Sequence, residues 1–465
     1  MSHPSRPPHP HGGPDPDRPI REGNARMAPL WQVLVGREVV RRHVHLILAA
    51  GLVLAGLGVA VMIDAFAGAV HIPERWFGLL LLADGMGSLG AGMVAAGAAR
   101  RLRIFKGLFL SLAAILIMMA SASSFFLLAM LFGTAFLVDG AIRIILAYLL
   151  TFSGWRTSAA LGALSVAFGL FHLQPWPTWY VGTVGYCIGM FLILNGARLA
   201  LAGLRTRRTA PEPDAAPAAD ASESLTVYVW TPTGQATTPA RQRLIRRYVA
   251  SVDVRGRFST GHAALEQGGD LYVSHYPAVE IDRSRANLRS SLRAGPENDV
   301  PGRFLPSHRD EVADWCEATV AVTLHGVDAG RLRRFWDVYR RDTTYNFISR
   351  NCSTTVAHAL DVAVEGAFNR SGHPWQSLAK ALTSPEFWAA ALLRNGARSM
   401  TWTPGLVLDY ARALSALIDP VSPVPSIAWS GVGRRFVRNW RTGSLTRLYQ
   451  SARRRSAPDA GPTEA

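Results

Sequence analysis

Residues 261–275 read GHAALEQGGDLYVSH. Gly268-Gly269 between two short, largely apolar runs signals a tight β-hairpin. A two-residue turn pairs Gln267 with Asp270, and counting outward sets His262 opposite His275 on the same face. Side chains directly across a strand pair lie close enough to interact, so His275 is expected to hold one ring nitrogen of His262 and leave His262 as a base. Further along, YNFISRNCSTTVAHAL at 345–360 places Cys352 directly after Asn351. Val356, Ala359, Leu360 and Ala363 then make one apolar helical face. A cysteine at a helix start beside an imidazole has its thiolate favoured by the helix dipole and the imidazolium charge. First-turn amides there can also stabilise an oxyanion. The pattern points to a thiol nucleophile with a histidine base.

Each residue has a plainer reading. Cys352 suits a buried small residue, and either histidine suits a strand. His358 lies nearly two turns beyond Cys352 on the same expected helix and reads as solvent-facing, while Cys316 follows Trp315 with no base nearby. Glu266, on the same face as His262, is a second candidate for orienting it. A zinc site of two histidines and a cysteine lacks a fourth ligand and the usual paired-cysteine spacing. No metal and no cofactor are therefore expected.

Away from this region the chain changes character. Apolar runs fill roughly 44–203 of the 465 residues, and several approach the ~20 residues that cross a hydrocarbon core. Six spans are expected near 44–64, 77–97, 105–122, 124–150, 157–174 and 179–203. LADG at 82–85, LVDG at 137–140 and ILNG at 193–196 recur 55 and 56 residues apart, each in the second span of an expected hairpin. Three hairpins would make one bundle. Gly85, Ser88 and Gly92 share a face where helix backbones can approach closely. Asp139 and Arg143, one turn apart, are expected to neutralise each other, although they and Asp84 are also the residues an ion path would use. The triple hairpin resembles the HdeD family of small membrane proteins linked to acid resistance, over about 40–205.

Arg37, Arg41 and Arg42 precede the first span; Arg100, Arg101, Arg103 and Lys106 follow the second; Arg205, Arg207 and Arg208 follow the sixth. All fall on one side, so both termini and the soluble domain are expected to be cytoplasmic, as in a bacterial inner-membrane protein. Only three cysteines occur, which excludes a disulfide framework, and the formal charge of +16 fits anionic lipid better than nucleic acid, for which no motif is present. Membrane lipid and a peptide, amide or lipid substrate are the expected partners. The oligomeric state is not legible.

These observations divide the chain into residues 1–26, too rich in Pro, His and Gly to bury a core; 27–205, a transmembrane domain opening with a short interfacial helix; an Ala/Pro/acidic linker, 206–224; a soluble α+β domain, 225–432; and a basic tail, 433–465. The expected class is thus a multidomain chain, an all-α six-helix transmembrane bundle plus an α+β domain. Within the soluble domain, strands are expected at 226–232 and 318–325. Helices are expected near 238–251 and 328–341, from Cys352, and after Ser384-Pro385 and Thr403-Pro404.

The order of histidine hairpin first and cysteine helix 90 residues later resembles the circularly permuted papain-like thiol hydrolases. These form the branch of the cell-wall endopeptidase superfamily that includes lecithin:retinol acyltransferase. The resemblance covers roughly 226–366, with G-H-A-A-L and N-C-S its most telling segments. It implies a permuted papain-like fold and an acyl-cysteine reaction, with His262 as base, His275 as its orienter and Cys352 as nucleophile. Two functions follow as expectations. One is a membrane-tethered cysteine hydrolase or acyltransferase; the other is an HdeD-like membrane stress protein whose papain-like domain binds without catalysis.

Overall fold

The structure is a computed structural model and describes residues 28–67, 74–94, 97–119, 122–152, 154–175, 180, 182–208, 224–230, 251–252, 258–259, 261–279, 293–398 and 401–418. The 1–26 segment, the core of the linker, most of the expected helix at 238–251 and the basic tail lie outside those residues. The chain divides into two compact units, Met1–Ile72 with Phe125–Pro420 and Pro73–Ser124 with Val421–Ala465.

The apolar region forms helices α3 (Val44–Ala67), α4 (Glu74–Val94), α5 (Gly97–Met119), α6 (Ala122–Leu150), α7 (Trp155–Leu173) and α8 (Thr183–Arg208). Among the described residues three stretches are long and apolar enough to cross a membrane: Val44–Ala67, Phe125–Leu150 and Thr183–Arg207. This is a membrane protein with a mixed helix-and-sheet domain attached. α5 carries Arg100, Arg101, Arg103 and Lys106 in its first turns, which dilutes its apolar run.

The repeat sets the packing. A Cβ added to Gly85 of α4 would lie 3.1 Å from the Gly107 carbonyl of α5, one on Gly140 of α6 would lie 2.5 Å from Gly162 of α7, and one on Gly196 of α8 would lie 2.6 Å from Gly51 of α3. Each Asp-Gly or Asn-Gly motif therefore sits at a backbone crossing where only glycine fits. The close seams join α4 with α5, α6 with α7 and α8 with α3. Asp139 and Arg143 do pair, at 2.6 Å, and Lys106 pairs with Asp84 at 3.0 Å.

The expected interfacial helix at 27–42 is instead two short helices, α1 (Leu30–Val35) and α2 (Arg37–Arg42), broken at Gly36 with φ of +94°. Leu30, Val33, Leu34 and Val35 are buried in the core of the soluble domain. The Gly366 amide donates to the Val33 carbonyl at 2.8 Å, Arg37 pairs with Glu365 at 3.3 Å, and the Arg394 guanidinium donates to the Ala28 carbonyl. Its apolar face finds protein rather than lipid.

That domain contains β1 (Ser224–Trp230), the two-residue strands β2 (Ser251–Val252) and β3 (Phe258–Ser259), β4 (His262–Gln267), β5 (Leu271–Val273), β6 (Tyr276–Pro277) and β7 (Val300–Arg303). There follow α9 (His308–Asp314), β8 (Val320–His325), α10 (Ala329–Tyr339), β9 (Thr344–Tyr345), α11 (Cys352–Ala363), α12 (Pro374–Leu382), α13 (Pro385–Arg398) and α14 (Pro404–Ile418). The main sheet has the antiparallel order β5-β4-β1-β8, and a smaller sheet has the order β6-β7-β9. Val227, Val229, Ala263, Leu265 and Leu324 of the main sheet, Val356, Ala359, Leu360 and Ala363 of α11, and Val407, Leu408, Ala411 and Leu414 of α14 form its buried core. The alternation on β4 leaves His262, Ala264 and Glu266 on the opposite face.

Candidate active site

Cys352 is the first residue of α11, where Asn351 caps the helix by accepting the Thr354 amide at 2.8 Å. The Asn351 side-chain amide also donates to the Phe347 carbonyl at 2.8 Å and to Thr401 Oγ1 at 3.1 Å. The preceding loop is fixed as well. Asn346 Oδ1 accepts the Ile348 and Ser349 amides at 3.0 Å each, and Asn346 bridges backbone to backbone with Arg350. Arg350 in turn donates to the Tyr339 carbonyl at 3.0 Å and lies 4.1 Å over the Tyr339 ring. The sulfur is thus held by a loop with few free torsions.

His262 opens β4 close enough to this sulfur for the two groups to shift each other's titration. Its Nε2 meets Glu311 Oε1 at 3.0 Å and Ser274 Oγ at 3.2 Å, which leaves Nδ1 for the thiol. The ring stacks on Tyr276 with centroids 3.9 Å apart and an interplanar angle of 14°. Glu311, on α9, is fully buried and also accepts the hydroxyls of Tyr272 and Tyr276 at 2.5 Å each. Three partners, His262, Tyr272 and Tyr276, converge on this one buried carboxylate and hold its charge.

The electrostatics run in one direction along this chain. Burial opposes ionisation of the Cys352 thiol, but the His262 charge and hydrogen bonds from His262, Ser353 and the Ala263 backbone outweigh it and bring the thiol below its ordinary value. Burial likewise opposes the His262 imidazolium, yet the Cys352 thiolate and the Glu311 carboxylate carry it up to about 9. For Glu311 burial is again outweighed, by His262 and the two tyrosines, and the carboxyl titrates below its ordinary range. Both shifts run in the direction that favours a thiolate–imidazolium pair.

His275 is not in this relay. The hairpin turn is three residues, Gly268-Gly269-Asp270, with Gln267 paired to Leu271 and Leu265 to Val273. Gly268 and Gly269 both take positive φ, +65° and +78°, and Arg333 holds the turn through Asp270 at 3.1 Å. The register shifts by one residue from the expected pairing, and a one-residue shift turns every side chain to the other face. Tyr276, and not His275, comes against His262. His275 instead points away, fully buried, with Nδ1 3.1 Å from the Tyr339 hydroxyl, which meets Thr355 Oγ1 at 2.7 Å. Burial and the nearby Arg350 charge lower its pKa to about 3, so it is a neutral brace beneath α11.

The other candidates separate cleanly. Glu266 accepts the Tyr228 hydroxyl at 2.9 Å. Cys316 is exposed. His358 is partly buried rather than solvent-facing, and burial lowers its pKa to about 4. Among the described residues no cluster of His, Cys, Asp or Glu could hold a metal ion.

Residues 309–384 match the family model described as the Lnb N-terminal periplasmic domain. The Lnb-like stretch contains Glu311 and Cys352 and begins after His262. No curated protein and no solved structure matches the chain. Glu311 is the functional candidate that sequence reasoning missed. It is one of several acids in the short helix HRDEVAD, 49 residues from His262, and no periodicity sets it apart from Asp310 or Asp314.

Proposed function

We propose that this protein is a membrane-tethered cysteine hydrolase or acyltransferase working through an acyl-cysteine intermediate, with Cys352 as nucleophile, His262 as acid and base, and Glu311 as the residue that orients His262. The observation that carries the reading is the Cys352–His262–Glu311 relay at the start of a capped helix. The thiolate attacks a carbonyl carbon of an ester or amide. The oxyanion that forms faces the first-turn amides of α11, and the imidazolium gives its proton to the departing alcohol or amine as the C–O or C–N bond breaks. His262, now neutral, takes a proton from water or an acceptor alcohol or amine, whose oxygen or nitrogen attacks the thioester and frees the thiolate. Glu311 keeps Nε2 protonated throughout and Nδ1 available. The papain-like resemblance agrees with this order of residues, with Glu311 taking the role expected of His275.

A non-catalytic reading, in which the papain-like domain of an HdeD-like stress protein only binds a partner, draws on the low exposure of Cys352, 9%. An electrophilic activity probe applied to intact membranes separates the two. Labelling at Cys352 that is lost in Cys352→Ala supports the enzyme, and labelling confined to Cys316 supports the binding module.

The topology follows the same proposal. Residues 28–42 share a core with residues 224–418, so the chain between them crosses the bilayer an even number of times. The three longest apolar stretches are odd in number, so at least one of α4, α5 and α7 also crosses, and six crossings satisfy the repeat. The arginines flanking α3 and α8 lie on the domain's side, which favours the cytoplasm, whereas the description of the matched family is of a periplasmic domain. Protease added outside spheroplasts should spare the domain; cleavage between residues 209 and 223 would reverse the placement.

A further inference from the structure

Within the unit that holds the active site, the loop leading to the nucleophile rests on the end of a membrane helix. Ile348, 2% exposed, packs with Ala147, Leu150 and Phe152 at the end of α6, flanked by Phe347, Ala294 and Trp155. The Ala294 amide donates to the Leu150 carbonyl at 3.0 Å. The apolar stretch ending at Leu150 is 26 residues, about 39 Å as a helix, against roughly 30 Å of hydrocarbon. Leu150 therefore reaches a few ångström into the headgroup layer. Three residues separate Ile348 from Cys352, so their Cα atoms lie at most about 14 Å apart. The Asn346–Arg350 bridge folds that loop back and shortens it further.

A second attachment fixes the same face. α1 and α2 are packed into the domain core and run through His43 directly into α3. Two points of contact set the domain's depth and tilt over the bilayer, where a linker alone would leave both free. Beside the contact, Trp155 carries the exposed Arg156 guanidinium 5.6 Å over its ring. An indole and a cation at this depth suit the boundary with anionic headgroups.

We infer that the Cys352 site takes its substrate from the bilayer: an amphiphile anchored by an acyl chain, with its reactive ester or amide at headgroup depth near an anionic group. The inference rests on the cysteine chemistry proposed above. What it adds is that the turn at 150–155 gauges the depth at which the thiolate meets a carbonyl.

The test uses the full chain in vesicles of phosphatidylcholine and phosphatidylglycerol, with two alkylating probes, water-soluble iodoacetamide and N-hexadecyl iodoacetamide placed in the bilayer. Alkylation of Cys352 and of the exposed Cys316 is read from the same molecules by peptide mass. The bilayer probe should favour Cys352 over Cys316 at least tenfold more than iodoacetamide does. Ile348→Asp should remove that preference while leaving iodoacetamide alkylation of Cys352 within about twofold; Ile348→Ala, which disturbs folding less, should reduce it severalfold. An equal Cys352-to-Cys316 ratio with both probes, or an unchanged preference in a folded Ile348 variant, overturns the inference. If iodoacetamide itself reacts no faster at Cys352 than at Cys316, the cysteine chemistry fails, and the inference with it.

Discussion

Replacing Glu311 by Gln removes one negative charge with almost no change of shape at a position fully shut off from solvent. The Glu311 carboxylate lies 3.0 Å from His262 Nε2. With the charge centres roughly 4 Å apart and an effective dielectric near 20, the attraction is about 4 kcal/mol. The glutamine carbonyl keeps part of this as a neutral hydrogen bond of about 1 kcal/mol. The net loss is about 3 kcal/mol, or roughly two pK units. Without the carboxylate the imidazolium is less favoured, so the His262 pKa falls from about 9, and the Cys352 thiolate, deprived of part of its partner's charge, titrates higher. Glutamine also offers one acceptor oxygen where Tyr272 and Tyr276 both donate, which costs about 1–3 kcal/mol of stability. The assay is the iodoacetamide rate at Cys352 from pH 4 to 10, with thermal unfolding measured alongside. The inflection should move up by one to two pH units, and the rate at pH values below the wild-type inflection should fall ten- to a hundredfold. An inflection that stays in place in a folded Glu311→Gln protein would refute the relay.

Two further perturbations test the frame around the site. A Cβ on Gly302 would lie 2.4 Å from the Thr343 carbonyl and 2.5 Å from His275 Nε2, so Gly302→Ala should cost on the order of 1–3 kcal/mol, read as a lower unfolding midpoint in denaturant. His275, lowered to about 3 in the fold and near 6.5 unfolded, binds its proton only in the unfolded chain between those values. Its stabilisation is complete above pH 6.5 and is lost as pH falls toward 3. His275→Gln should therefore flatten the acid side of the stability curve by up to about 1.4 kcal/mol per pH unit, as followed by urea unfolding at several pH values.

The parts of this architecture legible in sequence are those set by local rules. The helix starting at Cys352 and its apolar face follow from period, and the helices α13 and α14 from a capping residue followed by proline. The repeat at 55 and 56 residues marked the glycines that prove to be backbone crossings. What failed depended on distant partners. Gly268-Gly269 belongs to a three-residue turn whose third residue, Asp270, meets Arg333, 63 residues on, and that one added residue moves His275 off the site. Glu311 is recognisable only by the three groups that converge on it, all from other segments. The amphipathic stretch at 28–42 shows its apolar face in sequence but not what covers it, and protein took the place of lipid.

The most direct test is to trap the intermediate. The full-length protein is incubated with p-nitrophenyl acetate, quenched in acid and digested, and the peptides carrying Cys352 and Cys316 are weighed before and after neutral hydroxylamine, which cleaves thioesters. An acetyl group on Cys352, released by hydroxylamine and formed at least a hundredfold more slowly in His262→Ala, is the expected result. An acetyl group confined to Cys316, or a Cys352 adduct formed equally fast without His262, would contradict the assignment of this site.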